Sequence, residues 1–252
     1  MPKFIRPFFI FIRNNLLASF VAGLPNNPNR WHYRYDGVAV SNSSAFMDDI
    51  KFQAAYNALT KAYGWNPELP WRVHQIMWAV GQVRNLNGSF VECGVGRGGL
   101  MSSLLETYDT WNEDNKKMYL FDTFESYQYN KQGKKIISNA PNKFYAKSFS
   151  EVKNNFAQYK NIEFVVGDVL ETVYGGVCGN IAFISIDMNQ SKAEEHVFRK
   201  LYPDLLSGGV IILDDYYAAG RDLQRLSMDK LSIEFGFGIL ATPSGQGIIV
   251  KK

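Results

Sequence analysis

The residues best placed to do chemistry lie in one glycine-rich turn and at the ends of four later apolar runs. The turn reads Phe90-Val91-Glu92-Cys93-Gly94-Val95-Gly96-Arg97-Gly98-Gly99. Glycines let a backbone approach a ligand where a Cβ would collide. A helix that starts straight after such a turn offers free amides to a carboxylate. The next run ends in Phe121-Asp122, thirty residues beyond Glu92, where an acid can accept hydrogen bonds from both ribose hydroxyls. The third ends in Gly167-Asp168, placed to meet an adenine amino group. A glycine-rich turn alone also suits a nicotinamide dinucleotide. Glu92 tilts the choice, because a carboxylate beside a pyrophosphate is repelled, whereas an ammonium or sulfonium attracts it. The turn therefore points to S-adenosylmethionine. The bland alternative for Glu92 is a strand-end acid paired within the protein. Cys93 reads as a small packing residue rather than a nucleophile.

Two further runs end in acids, Ile186-Asp187-Met188-Asn189 and Leu213-Asp214-Asp215-Tyr216. If these strands are parallel neighbours, three carboxylates meet beside the cofactor. Such a group is costly to bury without a cation or protons. A hard divalent ion with oxygen ligands, Mg²⁺ by default, resolves the cost. The competing reading has these acids capping helices or pairing with Lys192 or Arg221. His32, His74 and His196 lack the spacing of a zinc site. A metal suits one chemistry in particular. An alcohol is a poor nucleophile at neutral pH; coordination lowers its pKa and holds its oxygen in line with the carbon–sulfur bond. A nearby acid or histidine can then take the proton.

Positioning these residues requires strands and helices in alternation. Short apolar runs occur at 89–95, 118–122, 162–166, 181–186 and 210–213. Helical patterns separate them at 100–111, 149–159, 193–205 and 222–235. Apolar strands joined through helices predict an α/β fold with a parallel sheet covered on both faces. The runs 238–242 and 247–251, joined by Pro243-Ser244-Gly245-Gln246, predict a terminal hairpin that adds an antiparallel strand. That is the outline of a class I methyltransferase. Two helices precede it, 48–63, stopped by Gly64, and 71–86. The polar stretch 126–147, which contains Tyr127, Tyr129, Phe144 and Tyr145, is long enough for a lid. Its aromatic residues suit stacking on a sugar face or packing the lid down.

The chain has 252 residues and a net charge of +3, without the dense basic stripe of a nucleic-acid binder. Two cysteines are too few for a disulfide framework and point to a reducing cytoplasm. The apolar opening, residues 1–23, is interrupted by Arg13, Asn14 and Asn15 and falls short of a transmembrane span. It reads as an amphipathic segment that covers the domain, a second subunit or a membrane surface. Residues 24–45, rich in Asn, Pro, Ser and aromatic side chains, read as an ordered loop or linker, and Trp31, His32, Tyr33 and Tyr35 as a cover for the acceptor or a neighbouring subunit.

With these residues placed, the chain from about Asp48 to Lys252 resembles the macrocin O-methyltransferase (TylF-type) family, whose members methylate sugar hydroxyls. The likeness is carried by the 90–99 turn and by Phe121-Asp122-Thr123-Phe124-Glu125. It continues through Ser150-Glu151-Val152-Lys153-Asn154-Asn155-Phe156, Leu201-Tyr202-Pro203 and the stretch Gly208 to Tyr216. The resemblance implies a Rossmann-like, seven-stranded class I methyltransferase domain over 88–252, with 1–87 as a helical extension capping the acceptor or an oligomer contact. It implies S-adenosylmethionine contacts at Glu92, Gly94, Gly96, Arg97, Gly98, Asp122, Thr123, Gly167, Asp168 and Asp187. It also implies Mg²⁺ ligands at Asp187, Asp214 and Asp215, with Asp187 as the catalytic residue. The expected acceptor is the hydroxyl of a sugar or glycosylated small molecule; a catechol or small phenol is the alternative. A homo-oligomer is expected, with no nucleic-acid partner. One departure matters. The family's second aspartate after the first metal ligand is Asn189 here, and Asn cannot accept a proton at neutral pH. The base is then Asp187 or a metal-bound water, the acceptor differs, or catalysis is weak or lost and the chain only binds the cofactor.

Overall fold

The structure is a computed structural model that describes residues 33–40, 42–124, 127–129, 135–137 and 148–252. The expectations for residues 1–23, and for Trp31, His32, Phe144 and Tyr145, lie outside the described residues. The chain forms two compact units, residues 1–44 and 45–252. The described part of the first is an antiparallel pair, β1 (Tyr33–Tyr35) and β2 (Val38–Val40). Asp36 and Gly37 make the turn between them with positive φ, the conformation a two-residue hairpin turn demands.

The larger unit begins with a 3₁₀ turn over Ala45–Asp48 and then α1 (Ile50–Tyr63). The Asp49 carboxylate caps α1 by accepting from the amides of Lys51 and Phe52, and left-handed Gly64 ends it. Pro70 opens α2 (Pro70–Val83), where its missing N–H costs nothing. The alternation follows: β3 (Ser89–Cys93), α3 (Gly99–Thr107), β4 (Met118–Asp122) and α4 (Phe149–Asn155). It continues with β7 (Ile162–Val166), α5 (Val169–Thr172), β8 (Ile181–Ile186) and α6 (Ser191–Leu201). The last elements are β9 (Leu205–Leu213), α7 (Asp222–Phe235), β10 (Leu240–Ala241) and β11 (Gly247–Val250). Two short antiparallel strands, β5 (Tyr127–Tyr129) and β6 (Lys135–Ile137), lie in the segment after β4, which the sequence suggests is irregular.

The main sheet has seven strands in the order β10-β11-β9-β8-β3-β4-β7. The five from β9 to β7 are parallel, and β11 and β10 add the antiparallel edge predicted for the C-terminus. Strand period explains why the interior parallel strands are mostly apolar on both faces. Phe90, Phe183, Val210 and Ile212 face one buried cluster with Phe52, Leu59, Ile76, Leu104 and Trp111. Their neighbours Val91, Ile184 and Ile211 face another with Val197, Phe198, Leu201 and Leu231. Both faces are dry, so neither set can be polar. Helices α1 and α2, read from the sequence as an extension, share the first of these cores.

Boundaries move where turn chemistry intervenes. The helix expected to run to Leu205 ends at Leu201, because Pro203 converts the next residues into a 3₁₀ turn. Strand β9 then starts at Leu205, five residues before the apolar run, and the pairing slips against β8 between Ile181 and Phe183. Left-handed Gly208 accompanies that slip, with Gly209 next to it. No helix among the described residues is long and apolar enough to cross a membrane.

Phe90 is fully buried and packs edge-on against Tyr108 and Trp111, with Phe183 tilted across the strand. Phe90→Ala should therefore lower unfolding stability by about 3–5 kcal/mol. Urea denaturation checks this, and a loss below ~1 kcal/mol would contradict the packing described.

Candidate active site at the carboxyl edge of the sheet

The parallel ladder continues past the strand ends and aligns the candidate residues in one row. Gly167 donates to the Asp122 carbonyl at 3.0 Å, and Gly94 donates to that of Phe121 at 2.9 Å. Asp187 donates to the Cys93 carbonyl and Asp214 to that of Ile186, each at 2.9 Å. Asp122, Glu92, Asp187 and Asp214 thus stand on four adjacent strands. The chain leaves β3 towards β4 and β7, then returns to place β8 and β9 on the other side. The switch point falls between β3 and β8, where open α/β sheets bind ligands.

The turn after β3 is held by the protein itself. Asp122 accepts from the amides of Val95 at 2.7 Å and Gly96 at 2.9 Å through Oδ2. Its Oδ1 accepts from the amide of Phe124 at 2.9 Å and from the Thr123 hydroxyl at 3.4 Å. A Cβ on Gly94, whose φ is +91°, would collide with the Asp187 carbonyl. One on left-handed Gly98 would strike the Phe156 ring, and one on Gly99 the Tyr63 ring. These glycines make room for neighbouring protein atoms, a reason beyond the ligand approach their pattern suggests. Arg97 spends its guanidinium on the Tyr63 carbonyl at 3.2 Å and on Glu151 at 2.7 Å. Asp168 caps α5 by accepting from the Leu170 amide at 2.9 Å, a helix with no clear signal in the sequence.

The acids are buried and feel one another. Glu92 is 2% exposed, and its Oε2 has no hydrogen-bond partner. Burial, then the charges of Asp122 and Asp214, raise its carboxyl well above the usual range against a hydrogen bond from Ser185. Burial also raises Asp187 strongly, with Asp214 and Asp215 adding to the effect and Arg72 opposing it. Asp215 is raised by burial and Asp214. Among the described residues, no three acids, cysteines or histidines are grouped as a metal site. Guanidinium groups stand there instead. Arg72 from α2 pairs with Asp214 Oδ2, while Gln246 donates to Oδ1 at 2.7 Å. Arg221 lies 3.4 Å from Asp215 Oδ2, a Coulomb contact that leaves this oxygen without a hydrogen bond. Arg221 also donates to Asn189 Oδ1. The pairing with Arg221, the bland alternative for these acids, is present. So is a chemistry that favours a cation: hard oxygen donors, raised carboxyls at Asp187 and Asp215, and an unmet buried oxygen.

Four contributors were not singled out from sequence. Arg72, Tyr63, Gln246 and Glu194 reach the cluster from α2, the end of α1, the terminal hairpin and α6. Tyr63 has its phenol raised by burial and then by Asp187, Asp214 and Glu92. Gln75 on α2 donates to the Ser244 hydroxyl at 2.8 Å and fastens the hairpin turn that presents Gln246. The one usable signal was Arg72, which alone among the residues of α2 is a Lys, Arg, Asp or Glu. Burial, then Asp215, pushes the Glu194 carboxyl up to about 8. His74 packs against Phe46 and Trp71, and His196 meets the Val173 carbonyl at 3.0 Å. Cys93 is fully buried with its thiol raised, as suits a packing residue.

The family model for macrocin O-methyltransferase (TylF) matches residues 71–228, a span holding the turn, the acids and both arginines. The chain belongs to that family. A demethyldecarbamoylnovobiocin O-methyltransferase of Streptomyces niveus is 27% identical over 144 residues, 52% of this chain and 54% of the relative. A tetracenomycin rhamnosyl 4'-O-methyltransferase of Streptomyces olivaceus is 25% identical over 138 residues, 51% and 53% of the two chains. The chain spans about half the length of these curated relatives. Among solved structures, the O-methyltransferase NovP superposes with a TM-score of 0.63 at 18% identity, over 84% of this chain and 100% of that one. The fold is that of the class I methyltransferases.

Two outcomes follow for this TylF-family site. Gly94→Ala should cost at least ~2 kcal/mol of stability, since it combines positive φ with a backbone collision; chemical denaturation checks it. Glu194 ionises near 4.5 when unfolded and near 8 in the fold. The folded value is the higher, so its contribution is intact below pH 4.5 and is lost as pH rises towards about 8. Glu194→Gln in EDTA should match the parent at pH 4.5 and become more stable up to pH 8, by at most about 1.4 kcal/mol per pH unit. A pH-independent difference would contradict the assignment.

Proposed function

We propose that the chain is an S-adenosylmethionine-dependent O-methyltransferase acting on a hydroxyl of a sugar or glycosylated small molecule, assisted by Mg²⁺. The observation that carries the reading is the row of acids at the switch point, on strands whose turns are already shaped. Both curated relatives are named as O-methyltransferases, one of them for a rhamnosyl-bearing compound.

S-adenosylmethionine supplies an electrophilic methyl group, and Mg²⁺, when bound, supplies a Lewis acid that makes a hydroxyl easier to deprotonate. Glu92 offers a buried carboxyl with one unmet oxygen to the cationic part of the cofactor. Asp122 locks the amides of Val95 and Gly96 and so fixes the turn that receives it. Thr123, Gly167 and Asp168 line the ends of the two strands beyond, and Gly94, Gly96, Arg97 and Gly98 build the turn itself. Asp187, Asp214 and Asp215 would hold the metal. Asp187 takes the acceptor proton, because Asn189 already accepts a hydrogen bond from Arg221 and is not basic. Helices α1 and α2 wall the site through Tyr63 and Arg72. Within residues 45–87 these helices cap the acceptor side or face a second copy, in a cytoplasmic homo-oligomer.

The test combines binding with turnover. S-adenosylhomocysteine should bind the parent chain with a dissociation constant measurable by calorimetry. Methyl transfer to glycosylated acceptors should fall at least ~10²-fold in Asp214→Ala and with EDTA, while S-adenosylhomocysteine binding survives in the variant. Turnover of catechols without any sugar acceptor would sink the acceptor assignment. Binding without turnover on any hydroxyl would leave only a cofactor-binding protein.

A further inference from the structure

We propose that Arg72 and Arg221 are resident counterions of the Asp187, Asp214 and Asp215 cluster, and that a divalent cation reaches these carboxylates only by displacing a guanidinium group. The inference rests on the reading of the three aspartates as cation ligands.

Both oxygens of Asp214 are engaged, Oδ1 by the Gln246 amide at 2.7 Å and Oδ2 by Arg72. Arg221 spans Asp215 and Asn189 on two different loops. A metal ion must approach the same oxygens, and there it would stand beside two guanidinium charges in a buried place. Like charges repel most where water is excluded. Arginine cannot relieve that repulsion by losing a proton. The group must therefore move, or the metal must stay out.

The two arginines differ in what they can do. The Arg221 side chain is 37% exposed and can swing into solvent, where its charge is hydrated. The Arg72 side chain is 14% exposed and comes from the packed helix α2, so its charge stays close to the cluster. Arg221 is thus the group that yields its place. Arg72 sets how weakly the metal binds. The same pairing explains how three carboxylates on adjoining strands are tolerated without a metal, since removing one partner of a buried pair is strongly unfavourable.

The experiment is calorimetric titration of MgCl₂ and MnCl₂ into the full chain, with and without S-adenosylhomocysteine, for the parent, Arg72→Gln and Arg221→Gln. Each variant should bind the metal at least roughly tenfold more tightly than the parent. Circular dichroism melting identifies a variant that fails to fold; if Arg72→Gln does, Arg221→Gln decides. Equal or weaker metal binding in the folded variants overturns the proposal, as does no metal binding in any of the three chains. Failure of S-adenosylhomocysteine to bind would instead strike the methyltransferase reading, and the metal titrations without it would still decide the role of the arginines.

Discussion

Burying several carboxylates at one edge of a sheet is the constraint around which the rest of this protein is arranged. Parallel strands carry their ends to the same side, and β4, β3, β8 and β9 each have an acid within two residues of their carboxyl ends. Each acid alone can be tolerated. Together they require compensating charge, bound protons or donors that accept the crowding. The chain supplies all three. Asp122 spends its oxygens on backbone amides, and Glu92 and Asp187 are pushed towards their neutral forms. Asp214 and Asp215 sit against arginines.

That arrangement gives Asn189 a physical reason. Its φ is +60°, in the left-handed region that Asn tolerates better than most side chains. Its amide oxygen accepts from Arg221. An aspartate there would add a fourth carboxylate to a cluster that two guanidinium groups already serve incompletely. A neutral side chain of the same shape keeps the hydrogen bond without raising the charge. Loss of a basic group at 189 and retention of an ordered site are therefore compatible.

The strands were the most legible part of the sequence. Met118–Asp122 and Ile181–Ile186 coincide with apolar runs because both faces of these interior strands are covered, and the edge strand Ile162–Val166 was legible from its run of large apolar residues. Strand β9 was legible only from Val210, since its first half is a glycine-bearing slip with little apolar signal. The acids at the strand ends were legible for the same reason as the strands. Their partners were not. Arg72 lies 142 residues from Asp214 and Gln246 lies 32 residues from it, and no local pattern links them. Asp168 shows the opposite failing. Its place after a strand suggests a ligand contact, yet the same carboxylate caps a one-turn helix too short to read from periodicity.

The glycines carry a more general point about reading such turns. Gly94 is needed whether or not a ligand is present, because the Asp187 carbonyl already fills the space of a Cβ. The close approach of the chain after β3 to the chain after β8, at the switch point, is therefore what demands the glycine. A glycine-rich turn after the first strand reports tight strand-end packing first and cofactor approach second. Discrimination between cofactors then falls to acidic neighbours, the part that the proposed function gives to Glu92 and Asp122. An ammonium or sulfonium beside the buried Glu92 carboxyl would draw it back towards its charged form, whereas a pyrophosphate would push it further from it.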